Sequence, residues 1–284
     1  MSLKIEKADK IGFCYGVRRA INIIEKVARE QGGVETLGPV VHNRPVLNRL
    51  AELGIKVVNR VAEIQGGTVA VSSHGVSPQV ESEIQARNID IVNTTCPFVH
   101  RAHVAARRLA EAGFFVVIYG DAGHSEVKGI LGWAKGKGVA TLDDKFILNF
   151  DPLPRRMGIL SQTTQVPAHF TEFVKRLIDR AFVKDSELRI IDTICHEIIE
   201  RQANALELAG RVGLMLVIGG HNSANTKHLA ELCAQATKTY LVETAGEIQP
   251  SWLQNEKHVG ITSGASTDEQ TINEVIAKLE EIRG

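Results

Sequence analysis

Three cysteines open the same local pattern. Cys14 ends the run KIGFC and leads straight into YGVRRAINIIEKVAR. Cys96 ends IDIVNTTC and leads into PFVHRAHVAARRLAEAG, and Cys195 ends LRIIDTIC and leads into HEIIERQANALELAG. In each, a strand-like run of Ile, Val or Phe meets the Cys, and apolar residues then recur at helical spacing. A lone Cys is usually a small buried hydrophobe. Three at one kind of junction predict a shared chemistry, because a thiol at a helix N-terminus meets the positive end of the helix dipole and unpaired amides, both of which favour the thiolate that ligates metal. Cys14, Cys96 and Cys195 are therefore read as one convergent metal site. Structural zinc prefers four closed ligands, and no His stands at zinc-finger spacing. A cubane [4Fe-4S] cluster fits three thiolates better and leaves one iron without a protein ligand, open to substrate. The fourth cysteine, Cys233, shares an apolar helix face with Leu229, Leu232 and Ala236 and reads as core.

Six further strand-like runs stop at small polar clusters. VETLGPVVHN stops at His42 and Asn43, TVAVSSHGVS at His74, FFVVIYGDAGHSEV at His124 and Glu126, MGILSQTTQV at Thr163 and Thr164, LMLVIGGHNSANT at Ser223 and Asn225, and HVGITSGAST at Ser266. Imidazoles, Ser and Thr hydroxyls, Asn225 and helix N-terminal amides together can bind a phosphate or diphosphate. Glu126 is the one carboxylate in these clusters. In a dry cavity its proton affinity rises, which suits a general acid, and Thr163 can relay or orient that proton. His100, His103, His169, His196, His221, His228 and His258 fall outside the pattern and read as structural.

Positioning these residues requires strands that end at one place and helices that begin there. PVLNRLAEL, TEFVKRLIDRAF, TKHLAELCAQA and TINEVIAKLEEI carry helical periodicity after most of the strands. Near-continuous apolar strands alternating with helices predict parallel sheets covered on both faces, with ligands beyond the carboxyl ends of the strands. The internal repeat predicts an α/β protein of three similar units arranged as a pseudo-threefold trefoil around a central cavity. The expected units are residues 1–97, 98–191 and 192–284, with the N-terminal strand free to pair with the third.

Lys+Arg and Asp+Glu both number 33 in the 284 residues, so no nucleic-acid groove or anionic membrane surface is expected. The start MSLKIEKADK lacks the apolar centre of a signal peptide, and no apolar run approaches the roughly 18 residues of a membrane span, which points to a cytoplasmic protein. There the four cysteines, with no CxxC pair, are for ligation rather than disulfides. Neither GxxxxGK[ST] nor a GxGxxG after a strand occurs, so nucleotide cofactors are not expected.

The motifs GFCYGV, VVHN, SSHGVS, TTCPFV, GHSEVKG, SQTTQV, DTICHEIIERQ, NSANT and GITSGAS, in this order, resemble the 4-hydroxy-3-methylbut-2-enyl diphosphate reductases (LytB/IspH) of the non-mevalonate isoprenoid pathway. The resemblance implies a [4Fe-4S] cluster on Cys14, Cys96 and Cys195. It implies a diphosphate held by His42, His74, Ser223, Ala224, Asn225 and Ser266 with His124 nearby, and a proton supplied by Glu126 with Thr163 and His124. In the implied reaction the substrate hydroxyl leaves as water, two electrons give an allylic anion, and protonation yields isopentenyl or dimethylallyl diphosphate. Ferredoxin or flavodoxin would donate the electrons. Four positions depart from the family pattern: Ser125 stands where Pro is usual, Glu197 and Ile198 where Ala-Thr is usual, and Ala224 where some members have a second Ser. Two other readings are a three-Cys trefoil dehydratase resembling quinolinate synthase, which needs no reductant, and a non-catalytic iron-sulfur sensor or electron carrier.

Overall fold

The computed structural model describes residues 3–150, 152–181 and 185–283. The chain opens with β1 (Lys4–Lys7), α1 (Tyr15–Gln31), β2 (Val34–Leu37), α2 (Arg44–Glu52), β3 (Ile55–Val58), β4 (Thr68–Val71), α3 (Pro78–Ala86) and β5 (Asp90–Asn93). It continues with α4 (Pro97–Glu111), β6 (Phe115–Tyr119), α5 (Ser125–Trp133), β7 (Gly138–Thr141), α6 (Asp144–Leu148), β8 (Arg156–Ser161), α7 (Pro167–Ala181) and β9 (Glu187–Ile191). It closes with α8 (His196–Ala209), β10 (Leu214–Ile218), α9 (Ala224–Ala234), β11 (Lys238–Val242), β12 (His258–Ser263) and α10 (Glu269–Arg283).

The strands form three four-stranded sheets of one topology, ordered β3-β2-β4-β5, β7-β6-β8-β9 and β11-β10-β12-β1. In the third sheet β1 holds the place that β5 and β9 hold in the others. It runs parallel to β12, with Lys4 opposite His258 and Lys7 opposite Ile261. The central strands are the apolar ones: β10 (LMLVI) is buried throughout and β6 (FVVIY) nearly so, as a strand covered on both faces must be. By packing, the chain divides into two compact units, one of Met1–Gly33, Pro39–Ile55 and His196–Gly284, the other of Val34–Gly38 and Lys56–Cys195. Among the described residues no helix is long and apolar enough to cross a membrane.

The α/β class and the three parallel sheets are those expected. The sequence reading finds three strands in each sheet, and the structure adds β3, β7 and β11. These are short edge strands with partly exposed residues, so no continuous apolar run announces them. The strand before Cys14 also lies earlier than expected, at Lys4–Lys7. Gly12 sits at φ +84°, in the left-handed region that ends an extended run, so Ala8–Phe13 is a loop. Cys233 is fully buried beside Ala205 and Leu229, and burial pushes its thiol up to about 11, in keeping with a core residue.

Candidate active site

In each sheet the first and third strands are neighbours, β2 with β4, β6 with β8 and β10 with β12, and the chain leaves them toward opposite edges. This is the topological switch point of an open parallel sheet, where ligands bind. His42, His74, His124, Glu126, Thr163, Ser223, Asn225 and Ser266 all follow these six strands. The three cysteines follow the fourth strands β5, β9 and β1, each next to a third strand.

The cysteines are held alike. The Cys96, Cys195 and Cys14 amides donate to the carbonyls of Ser73 (3.0 Å), Thr163 (2.9 Å) and Ala265 (3.0 Å). Each acceptor is the second residue beyond its third strand, which ends at Val71, Ser161 or Ser263. Two positions before each cysteine a second tether reaches that strand's last residue: Thr94 Oγ1 to Val71 O (2.5 Å), Thr193 Oγ1 to Ser161 O (2.5 Å), and the Gly12 amide to Ser263 Oγ (2.8 Å). Helices α4, α8 and α1 begin directly after the cysteines, and Cys14 Sγ accepts from the Val17 amide at 3.5 Å. Each cysteine is thus a soft donor at the start of a helix.

In the unit containing Lys56–Cys195, Glu126 is 2 % exposed, and burial raises its carboxyl to about 7 against the partial opposition of two hydrogen bonds. These come from the Thr163 amide to Oε1 (2.7 Å) and Thr163 Oγ1 to Oε2 (2.9 Å). Since Thr163 O takes the Cys195 amide, a continuous path runs from the carboxyl through Thr163 to the backbone of Cys195. His124 is the N-cap of α5, its Nδ1 accepting from the Glu126 amide at 3.2 Å, so the proton of a neutral ring lies on Nε2. Its ring stands edge-on to that of His74, centroids 5.3 Å apart. Ser125 occupies the first helical position, where a Pro would also fit.

Replacing Thr163 with Val removes the hydroxyl that stabilises the ionised carboxylate. It is expected to raise the Glu126 pKa further and to cut turnover roughly tenfold, at the lower end of proton-transfer effects. A pH–rate profile whose basic limb moves down, or stays, would contradict this.

The other unit holds Cys14, His42, Ser223, Ala224, Asn225 and Ser266. Ser223 is the N-cap of α9, accepting from the Thr226 amide at 3.3 Å, and Ala224 contributes a first-turn amide of the kind a helix leaves unsatisfied. Asn225 and Ser266 are more than nine-tenths buried, and Asn225 Nδ2 and Ser266 Oγ have no hydrogen-bond partner among the described residues. Buried polar atoms left unmade cost about 1–3 kcal/mol each, a cost an anionic ligand would offset. Asn43 belongs with them, although its motif alone suggests a cap. Oδ1 does cap the Val46 amide at 3.1 Å, while buried Nδ2 has no partner. Burial holds the His42 imidazole below the usual histidine range.

The loops carrying His42 and Ser223 meet at Gly220, where a Cβ would overlap the carbonyl of His42. Gly220→Ala is expected to cost about 2 kcal/mol or more in denaturant melts, because the obstruction is backbone and cannot rotate aside. An unchanged midpoint would refute it.

Residues 5–280 match the LytB protein family model. A 4-hydroxy-3-methylbut-2-enyl diphosphate reductase of Dehalococcoides mccartyi strain CBDB1 is 60% identical over 280 residues, covering 99% of both chains. The Geobacter metallireducens protein of that name is 41% identical, over 99% of this chain and 98% of its own. A solved structure of (E)-4-hydroxy-3-methyl-but-2-enyl diphosphate reductase, described as the terminal enzyme of the non-mevalonate pathway, is 37% identical with a TM-score of 0.71 and covers 99% of this chain and 100% of its own. The corresponding reductase from Plasmodium falciparum, 22% identical, shares the fold at a TM-score of 0.91, over 98% of this chain and 88% of its own. With the family model matching residues 5–280 and the relatives matched over nearly their whole length, this chain belongs to the LytB family.

Proposed function

We propose that this chain performs the reaction its relatives are named for, the reduction of 4-hydroxy-3-methylbut-2-enyl diphosphate to isopentenyl and dimethylallyl diphosphate. Two electrons and two protons enter and one water leaves, carrying the hydroxyl oxygen. The observation that carries this reading is the hydrogen-bonded path from buried Glu126 through Thr163 to the Cys195 backbone, since the reaction needs a proton donor beside an electron source. Family membership supports an iron-sulfur centre. Cys14, Cys96 and Cys195 would hold it as [4Fe-4S] with one iron free of protein ligands, supplying electrons and a Lewis-acidic position when bound.

His42, His74, Ser223, Asn225, Ser266 and the Ala224 amide bind the diphosphate, with Asn43 Nδ2 in reach of the same duty. Glu126 holds the proton for the departing hydroxyl, Thr163 orients the carboxyl, and the His124 ring, fixed by its Nδ1 bond, presents Nε2–H to the ligand. Electrons come from a ferredoxin or flavodoxin.

The test is anaerobic turnover by reconstituted protein with a chemically reduced viologen. Dye oxidation that depends on added 4-hydroxy-3-methylbut-2-enyl diphosphate supports the reductase. A full iron and sulfide complement with no such oxidation would overturn it in favour of a dehydratase or a sensor.

A further inference from the structure

The approach to Cys14 differs from the other two. Six residues, Ala8–Phe13, separate β1 from Cys14, whereas Thr94 and Thr95 alone precede Cys96, and Asp192–Ile194 precede Cys195. Ordering each backbone residue costs ~1–2 kcal/mol, so the longer segment needs more contacts to keep its cysteine in place. It also lacks one that its counterparts have. Thr94 and Thr193 cap the last carbonyl of the neighbouring strand with a hydroxyl, and Gly12 has none.

One face of α8 supplies what is missing. Arg201, 2 % exposed, donates from Nη1 to Ser263 O (2.9 Å) and from Nη2 to Gly12 O (2.8 Å), so its guanidinium does for the third sheet what a Thr hydroxyl does for the others. One turn earlier, Glu197 receives the Tyr15 amide on both carboxylate oxygens, at 3.1 and 2.9 Å. Between them, Glu200 pairs with Lys10 Nζ at 2.9 Å on the exposed rim, a bond of little energy by itself. Positions 197, 200 and 201 lie on one helical face. They reach residues 15, 10 and 12, on both sides of Cys14.

We infer that α8 is a clasp that holds the Cys14 loop in place, with Glu197 and Arg201 as its two positioning residues. Its purpose rests on the cluster reading; its geometry does not. Glu197 is only partly buried, so Glu197→Ala is expected to fold.

The test begins with the apoprotein, alkylated by iodoacetamide and followed peptide by peptide in a mass spectrometer. Glu197→Ala should raise the rate at Cys14 roughly five- to tenfold, the weight of about one net hydrogen bond, with the rate at Cys96 unchanged. Glu197→Gln, whose amide oxygen still accepts from Tyr15, should restore the wild-type rate. In reconstituted protein, Glu197→Ala should release iron to a chelator faster by a similar factor. No acceleration at Cys14, equal acceleration at Cys96, or iron release identical to wild type would overturn the clasp. Wild-type protein that takes up no iron would count against the cluster reading alone, because the alkylation comparison is made without iron.

Discussion

Replacing Glu126 with Gln is expected to lower turnover by roughly two to four orders of magnitude, the usual worth of a positioned general acid, while iron content stays at the wild-type level. Gln fills the same volume and still accepts a hydrogen bond from the Thr163 amide, so what is lost is the proton. The pH dependence sharpens the test. Burial raises the Glu126 carboxyl from 4.5 to about 7, so the acid form predominates below about 7 and activity should fall as pH rises through that value. The same rise makes a stability prediction. Between pH 4.5 and about 7 the folded chain keeps a proton that the unfolded chain releases, so stability decreases with rising pH across that window. The full effect is on the order of 3 kcal/mol in apoprotein, at about 1.4 kcal/mol for each pH unit. Glu126→Gln should flatten it. A variant that keeps wild-type turnover would remove Glu126 as the acid, and one that keeps the pH slope of the melts would show that another group titrates there.

The second large effect is expected from the cysteines. Cys96→Ser or Cys195→Ser replaces a soft thiolate with a hydroxyl that binds iron poorly, so cluster absorption and turnover should both be lost or reduced at least a hundredfold. Cys233→Ala is the control. That side chain is fully buried in an apolar cluster, with a 3.9 Å approach to the Ala205 carbonyl, so the change should cost on the order of 1 kcal/mol and leave iron and turnover intact. Retention of the cluster in Cys195→Ser, or its loss in Cys233→Ala, would reverse the assignment.

The stations of the chemical residues were legible in the sequence because each stands at the end of an apolar run, and a run of that kind has only one place in a parallel sheet. Strand β10 and the polar cluster at Ser223 show this well, the burial of LMLVI declaring the strand and the small residues after it declaring its end. The edge strands were not legible. IKVV and GVAT are four residues long and neither is continuously buried, so their pairing depends on neighbours that no local pattern reveals. The clasp was equally hidden. In the sequence Glu197 stands out only as a departure from the family pattern and Arg201 not at all, because their partners are backbone groups of residues 12, 15 and 263, far away in the chain. Asn43 stood in the sequence beside His42 as part of a polar cluster; that one of its amide atoms caps α2 while the other is buried without a partner among the described residues is a property of packing.

The place of β1 in the third sheet bears on how the molecule is made. Lys4 leaves the ribosome first and pairs opposite His258, 254 positions later. At about 5–20 residues per second, β1 waits ~10–50 s for the strand that holds it. During that time it is an unpaired edge, and its short, charged sequence KIEK is suited to remaining soluble. Cys14 follows on the same waiting segment, and its amide bonds to Ala265, which is made later still. Of the three cysteines, Cys14 is therefore the last to gain its backbone tether, since Ser73 and Thr163 precede Cys96 and Cys195 in the chain whereas Ala265 follows Cys14.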